Sequence, residues 1–302
     1  MPELSPSPTT GAPSPYLLKP LWVLPQNAPV RGMSIVREGN YLFVWDANHC
    51  LQLFSAQGAL QARAKIPGEL AAAAAADSGE GYVAATRDGR LFSLGPDLSV
   101  RRSRQFRRGI LALALDPHGN YLLFADANSG LGMAGIDGSS CWYERAPCPF
   151  VYLAFLPVAP FVVGCSTLGL SACYSFQGHS IWQNSLVCHI GALAIRGVDG
   201  LCALSCISEG LQLYSYAGKD LGRRRLSEPC RLVSAPFASE LFLTAGLSNR
   251  IGLVNQECEP LAELTLDKPA RHIAISAAGD QGFAALPGGG LVSFQIEGPR
   301  GI

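Results

Sequence analysis

The stretch YLFVWDANHCLQLFSAQG, from Tyr41 to Gly58, returns in altered form along the whole chain. It reads as an apolar strand, a polar turn, a second apolar strand opened by an aliphatic residue, and a closing glycine. The opening aliphatics are Leu51, Leu91, Leu131, Leu170, Leu211, Ile251 and Leu291, successively 40, 40, 39, 41, 40 and 40 residues apart. The closing glycines Gly58, Gly138, Gly178, Gly218 and Gly298 keep the same beat, and Leu98 and Cys258 fill the two slots left over. A period near 40 with several short strands per unit predicts a β-propeller, because one such unit cannot bury its own apolar faces and must stack on its neighbours. The expected fold is all-β: seven blades of four antiparallel strands each.

In the first unit the four strands are expected at residues 33–36, 41–45, 51–55 and 60–66, from innermost to outermost. The second strands of other units, such as YVAAT from Tyr82, YLLFA from Tyr121 and FVVGC from Phe161, are continuous apolar runs. Strands covered on both faces read this way. Between the inner strands lie turn residues, at Gly39-Asn40, Pro117 to Asn120, Asp199-Gly200 and Gly279-Asp280, which supply positive φ or side-chain hydrogen bonds to the turn. The outermost strands are polar and basic, as in SVRRSRQFRR (Ser99 to Arg108) and LGRRRLS (Leu221 to Ser227), and such charge protects an edge from foreign strands. The seventh unit lacks an outermost strand, while LLKPLWVLP near the N-terminus has no inner strands before it. The segment Leu18 to Leu24 is therefore expected to close the ring as the last strand of the blade made by residues 271–298. Residues 1–16, rich in Pro and Ser, are expected to form a disordered tail, and 17–302 a single propeller domain.

Hydrophobic residues make up 48% of the chain and charged ones 15%, a balance that suits a large core and opposes disorder. Lys plus Arg equals Asp plus Glu at 23 each, so no overall field favours nucleic acid or a membrane surface. The start MPELSPSPTTGAPSPY lacks the basic and apolar regions of a secretory signal, and no apolar run reaches 18 residues. The ten cysteines include no CxxC pair, and Cys165, Cys202 and Cys206 lie in apolar runs. They read as small buried hydrophobes in a reducing, cytoplasmic setting.

The spacing carries a resemblance. ILALALDPHGNYLLFA (Ile110 to Ala125) resembles the inner hairpin of a WD40 repeat. YSFQGHSIW (Tyr174 to Trp182) resembles the strand, Gly and Trp ending of a quinoprotein repeat, and Trp142 and Trp182 both stand four residues after a closing glycine. Residues 17–302 as a whole resemble a WD40-like or quinoprotein-like seven-bladed propeller. The resemblance implies a rigid frame presenting loops to a protein partner, or a small-ligand or lactonase-like hydrolytic propeller using its central channel.

Motifs that would carry chemistry are few. GLGMAG (Gly130 to Gly135) matches GxGxxG, but Leu131 opens a third strand and no helical pattern follows, so no phosphate cradle is expected. DAN at Asp46 to Asn48 and at Asp126 to Asn128 lacks the further carboxylates and closing Glu of a calcium loop, and reads as two Asx turns. Cys188-His189 and Cys148 have no second Cys or His at zinc-ligand spacing, and there is no GxSxG elbow. No catalytic residue, metal or cofactor is assigned. Nucleic-acid binding through Arg101, Arg102, Arg104, Arg107, Arg108 and Arg223 to Arg225 is disfavoured, the two clusters lying three units apart.

One pattern stands above this background. The residues opening the innermost strands, on a 40-residue beat from Arg31, are Arg31, Ala71, Leu111, Val151, Gly191, Arg231 and Arg271. Such positions surround the mouth of a propeller channel. Arg31, Arg231 and Arg271, with His272, are the candidate residues for gripping a carboxylate, a phosphate or an acidic peptide of a partner protein.

Overall fold

The computed structural model describes residues 15–106 and 109–299, so most of the expected 1–16 tail, and Arg107 and Arg108, lie outside the described residues. Among the described residues are 28 strands and no helix. The strands form seven four-stranded antiparallel sheets, and the fold is a seven-bladed β-propeller. Blades 1 to 6 span 30–65, 70–105, 110–145, 152–185, 190–224 and 232–265; blade 7 joins 272–297 to the strand Leu17–Leu24. Contacts divide the chain into two compact units, one of residues 31–187 and 216–219 holding blades 1 to 4, the other of 1–30, 188–215 and 220–302 holding blades 5 to 7.

In each unit the core lies between successive sheets. Val36, Phe43 and Leu51 of blade 1 pack on Tyr82, Phe92 and Leu98 of blade 2, and Leu123 and Leu131 of blade 3 on Val162 and Ala172 of blade 4. In the other unit Leu243, Leu253 and Leu264 of blade 6 pack on Phe294 and Ile296 of blade 7. The apolar second strands are mostly buried, and every residue of Tyr82–Thr86 and of Cys202–Cys206 is enclosed. The continuous apolar runs in the sequence thus reflect burial on both faces.

The N-terminal strand completes blade 7 as expected. Leu17–Leu24 runs antiparallel to Leu291–Glu297, from Leu17 opposite Glu297 to Leu24 opposite Leu291. Its register shifts between Pro20 and Trp22, which leaves Leu21 as the extra residue. A proline has no N–H for the ladder, and an edge bulge accommodates it. Leu18 anchors the strand, 1% exposed within the core of blades 6 and 7. The Lys19–Glu297 ion pair is solvent-exposed and adds little.

In blades 1 to 6 the closing-glycine slot is a left-handed backbone position, which Gly298 of blade 7 does not adopt. Gly58, Gly138, Gly178 and Gly218 have φ between 81° and 93°, and the odd occupants Leu98 and Cys258 adopt 61° and 63°. In all six blades the register of the third and fourth strands shifts just before this turn, the signature of a three-residue hairpin loop with a bulge. Left-handed backbone costs a branched residue about 1–2 kcal/mol. Leu98 and Cys258 are buried, the first 1% exposed in the core of blades 1 and 2, and burial of a leucine, about 2–3 kcal/mol, outweighs that strain.

This turn also receives the neighbouring blade. Trp142 covers Gly178, where a Cβ would meet the indole at 3.0 Å, and Trp182 covers Gly218, where the distance would be 2.3 Å. The Trp182 indole N–H donates to the Tyr216 carbonyl at 3.0 Å, and the Asn184 amide to the Gly218 carbonyl at 3.2 Å. Blade 2 places Arg102 and Arg104 at the slots of Trp142 and Glu144, and both guanidiniums donate to the Asp137 carbonyl. The arginines that the sequence suggests as edge protection therefore also clip blade 2 to blade 3.

Two measurements follow from this packing. Leu18→Ala should lower the unfolding free energy by about 3 kcal/mol in a denaturant titration, whereas Leu21→Ala, at a half-exposed bulge, should change it by less than about 0.5 kcal/mol. Leu98→Gly should destabilise by about 1–2 kcal/mol even though it relieves the left-handed strain, because it empties a core position.

Candidate functional site

The turn between second and third strands is built alike in the first four blades. Asp46, Thr86, Asp126 and Ser166, spaced 40 residues apart, each place a side-chain oxygen against the turn backbone. Asp46 Oδ1 accepts from Asn48 N at 2.8 Å and Cys50 N at 3.0 Å, and Asp126 Oδ1 from Asn128 N and Gly130 N, both at 2.8 Å. Thr86 Oγ1 accepts from Arg90 N at 3.2 Å, and Ser166 Oγ from Leu170 N at 3.1 Å. The two DAN motifs are Asx turns, and their carboxylates are engaged by the turns themselves.

The turns of blades 1 to 3 border a cavity of about 550 Å3 that lies wholly within the unit of blades 1 to 4. Arg31, Ala71 and Leu111, three of the strand-opening positions on the 40-residue beat, line it together, and Ala47 and Ala127 of the two DAN turns reach it as well. Its charged lining consists of Arg31, the turn carboxylate Asp46, and Glu69 with Arg87, which form an exposed ion pair at 3.1 Å. Arg31 is exposed and enters no ion pair among the described residues.

His49, also in this lining, is the residue that sequence reasoning missed. Its φ is 62°, where the matching positions of blades 2, 4 and 7 are Gly89, Gly169 and Gly289, at 83°, 95° and 103°. A histidine tolerates this region better than a branched residue. Its Nδ1 accepts from Leu70 N at 3.1 Å, which leaves Nε2 to carry the proton of the neutral ring as a donor. Blade 3 fills the same left-handed slot with Ser129, at 65°, so the sequence signal is a ring nitrogen in a slot that three other units fill with glycine.

The other candidates lie in the unit of blades 5 to 7. Arg231 donates through a terminal guanidinium nitrogen to the Ala270 carbonyl at 2.7 Å, and its own carbonyl accepts from Ser205 Oγ at 3.0 Å. Arg271 is exposed and enters no ion pair among the described residues. His272 begins the strand His272–Ile275. Burial, then the charge of Arg231, push its pKa down to about 4, against a hydrogen bond to the Val30 backbone; Arg271 lowers it further. The imidazole is therefore neutral at physiological pH and feels two guanidiniums.

The remaining motifs hold no chemistry of their own. GLGMAG forms the strand Gly130–Gly135 and opens no helix, so its amides serve the ladder of blade 3. Among the described residues no group of three or more His, Cys, Asp or Glu is placed to hold a metal ion, and no helix is long and apolar enough to cross a membrane. Cys188 is not isolated as its sequence context suggests, because Cys206 lies beside it. No protein-family model matches the chain, and no curated protein matches it.

His272 gives the site a pH signature. Its folded-state pKa of about 4 lies below the 6.5 of a free imidazole, so acid favours the unfolded chain. The stability involved is complete above about pH 6.5 and drains as pH falls toward 4, with about 2 kcal/mol lost between pH 7.5 and 5.0. Urea titrations at those two pH values should show His272→Gln losing less stability on acidification than the wild type by about this amount. An equal loss in both would remove the assignment.

Proposed function

We propose that this chain is a non-enzymatic scaffold that holds acidic segments of a partner protein, with Arg231, Arg271 and His272 as the gripping residues of one compact unit and Arg31 as a separate gripping residue of the other. The observation that carries the reading is unmatched positive charge at strand-opening positions. Arg31 and Arg271 are exposed without an ion pair among the described residues, and both Arg231 and Arg271 act on the neutral His272. Guanidiniums bind carboxylates with paired, charge-assisted hydrogen bonds, so an acidic peptide suits them. The likeness to WD40-like and quinoprotein-like propellers belongs to this proposal and agrees with it, since a rigid β-frame leaves its turns and strand ends for recognition. A cytoplasmic location is part of the same reading, supported by the ten cysteines, all free and seven of them buried.

A second reading takes the cavity beside Arg31 as a small-ligand site of a lactonase-like or quinoprotein-like propeller. Its volume of about 550 Å3 falls in the range of ligand pockets, and Arg31 with His49 would donate to an anionic ligand.

A fluorescent decaglutamate peptide, titrated at low salt and followed by polarisation, tests the first reading. Charge reversal of Arg31, Arg231 and Arg271 together should weaken binding at least tenfold, with a cooperative melt retained. Equal binding by the wild type and the triple variant, or none by the wild type, would overturn it. Loss of binding on Arg31→Glu alone, with Arg231→Glu and Arg271→Glu silent, would shift the assignment to the cavity.

A further inference from the structure

The Sγ atoms of Cys188 and Cys206 lie 3.2 Å apart. Both belong to blade 5 and its approach: Cys188 stands two residues before the strand Ile190–Ile195, and Cys206 ends the strand Cys202–Cys206, opposite Ile190. Their 18-residue separation carries no sequence signature, because the hairpin that joins the two strands brings them together.

Cys206 also occupies a telling slot. It follows Asp46, Thr86, Asp126 and Ser166 on the 40-residue beat, at the position where those four blades set an oxygen against the turn backbone. Blade 5 places a sulfur there, facing a second sulfur. The two differ in access: Cys206 is fully buried, and Cys188 is partly open to solvent. Burial, then the contact with Cys188, push the Cys206 thiol up to about 12, and Cys188, partly open to solvent, is the sulfur that an oxidant reaches first. A metal would need at least a third ligand, and none is placed for it among the described residues.

We propose that Cys188 and Cys206 form a reversible dithiol–disulfide site, oxidised by a small hydroperoxide and reopened by a dithiol reductant. The Cys188 thiolate attacks a peroxide oxygen; the O–O bond breaks, hydroxide leaves and takes a proton to become water, and Cys188 becomes a sulfenic acid. The Cys206 sulfur then attacks the sulfenic sulfur, the S–S bond forms, and the hydroxyl leaves with the Cys206 proton as a second water. Two thiols lose two electrons and two protons to one peroxide. The sulfurs must approach by about 1 Å to reach the bond length of about 2.05 Å, a displacement available to Cys188 because it precedes the paired strand. A reducing dithiol reverses the bond through a mixed disulfide and leaves as its own cyclic disulfide. The site is independent of the acidic-partner reading.

The test uses the reduced full-length protein and one equivalent of hydrogen peroxide, with peptide mass mapping over time. The expected product joins the peptides of Cys188 and Cys206 with the loss of two hydrogens, is returned to thiols by dithiothreitol, and forms at least tenfold faster than Cys141, which is exposed, is modified. In Cys206→Ser, dimedone should capture a sulfenic acid on Cys188; in Cys188→Ser it should capture none at Cys206. A bridge between other cysteines, or Cys188 advancing to sulfinic acid in the wild type without a bridge, would overturn the proposal. The wild-type mapping decides the matter alone if either variant fails to fold.

Discussion

A four-stranded sheet whose second strand is apolar on both faces cannot bury those faces by itself. Burial of sheet against sheet is the constraint on which everything else in this chain rests. It sets the repeat, because each unit must offer its neighbour the same two surfaces. It explains why Tyr82–Thr86 and Cys202–Cys206 are enclosed along their full length. It also explains how Leu98 and Cys258 persist in a backbone region that glycine occupies elsewhere. The turn dictates the conformation, and the apolar contact outweighs its cost.

Much of this was legible in the sequence because it depends on period and polarity alone. The seven units, the order of strands within them and the pairing of Leu17–Leu24 with the last blade follow from spacing and from the unequal contents of the first and last units. What stayed hidden depends on contacts across strands or between blades. Arg102 and Arg104 read as charge on an edge, and only the neighbouring turn reveals that they donate to Asp137. Cys188 read as isolated because its neighbour is reached through a hairpin. His49 follows the DAN motif without belonging to any motif of its own, and its left-handed slot becomes visible only when the repeats are laid over one another.

The strand-opening positions show how such a frame acquires recognition. Their backbones are held by the inner ladder, as in Arg271 N to the Ala285 carbonyl at 2.7 Å, while the side chains of Arg31, Leu111 and Arg271 stay exposed. Arg31, Ala71 and Leu111 line one cavity with three unrelated chemistries. The frame fixes where a side chain stands and leaves open which one it is.

The contacts that join blade to blade carry a lesson about descent. Those at the outer hairpins are received by a main-chain carbonyl or a bare glycine, while indole, guanidinium and amide all act as the giving group. A lock that accepts so many keys places little restraint on their shape. Letters at these positions are free to wander over generations while the metre of the verse persists, so kinship among such chains is better sought in rhythm than in spelling.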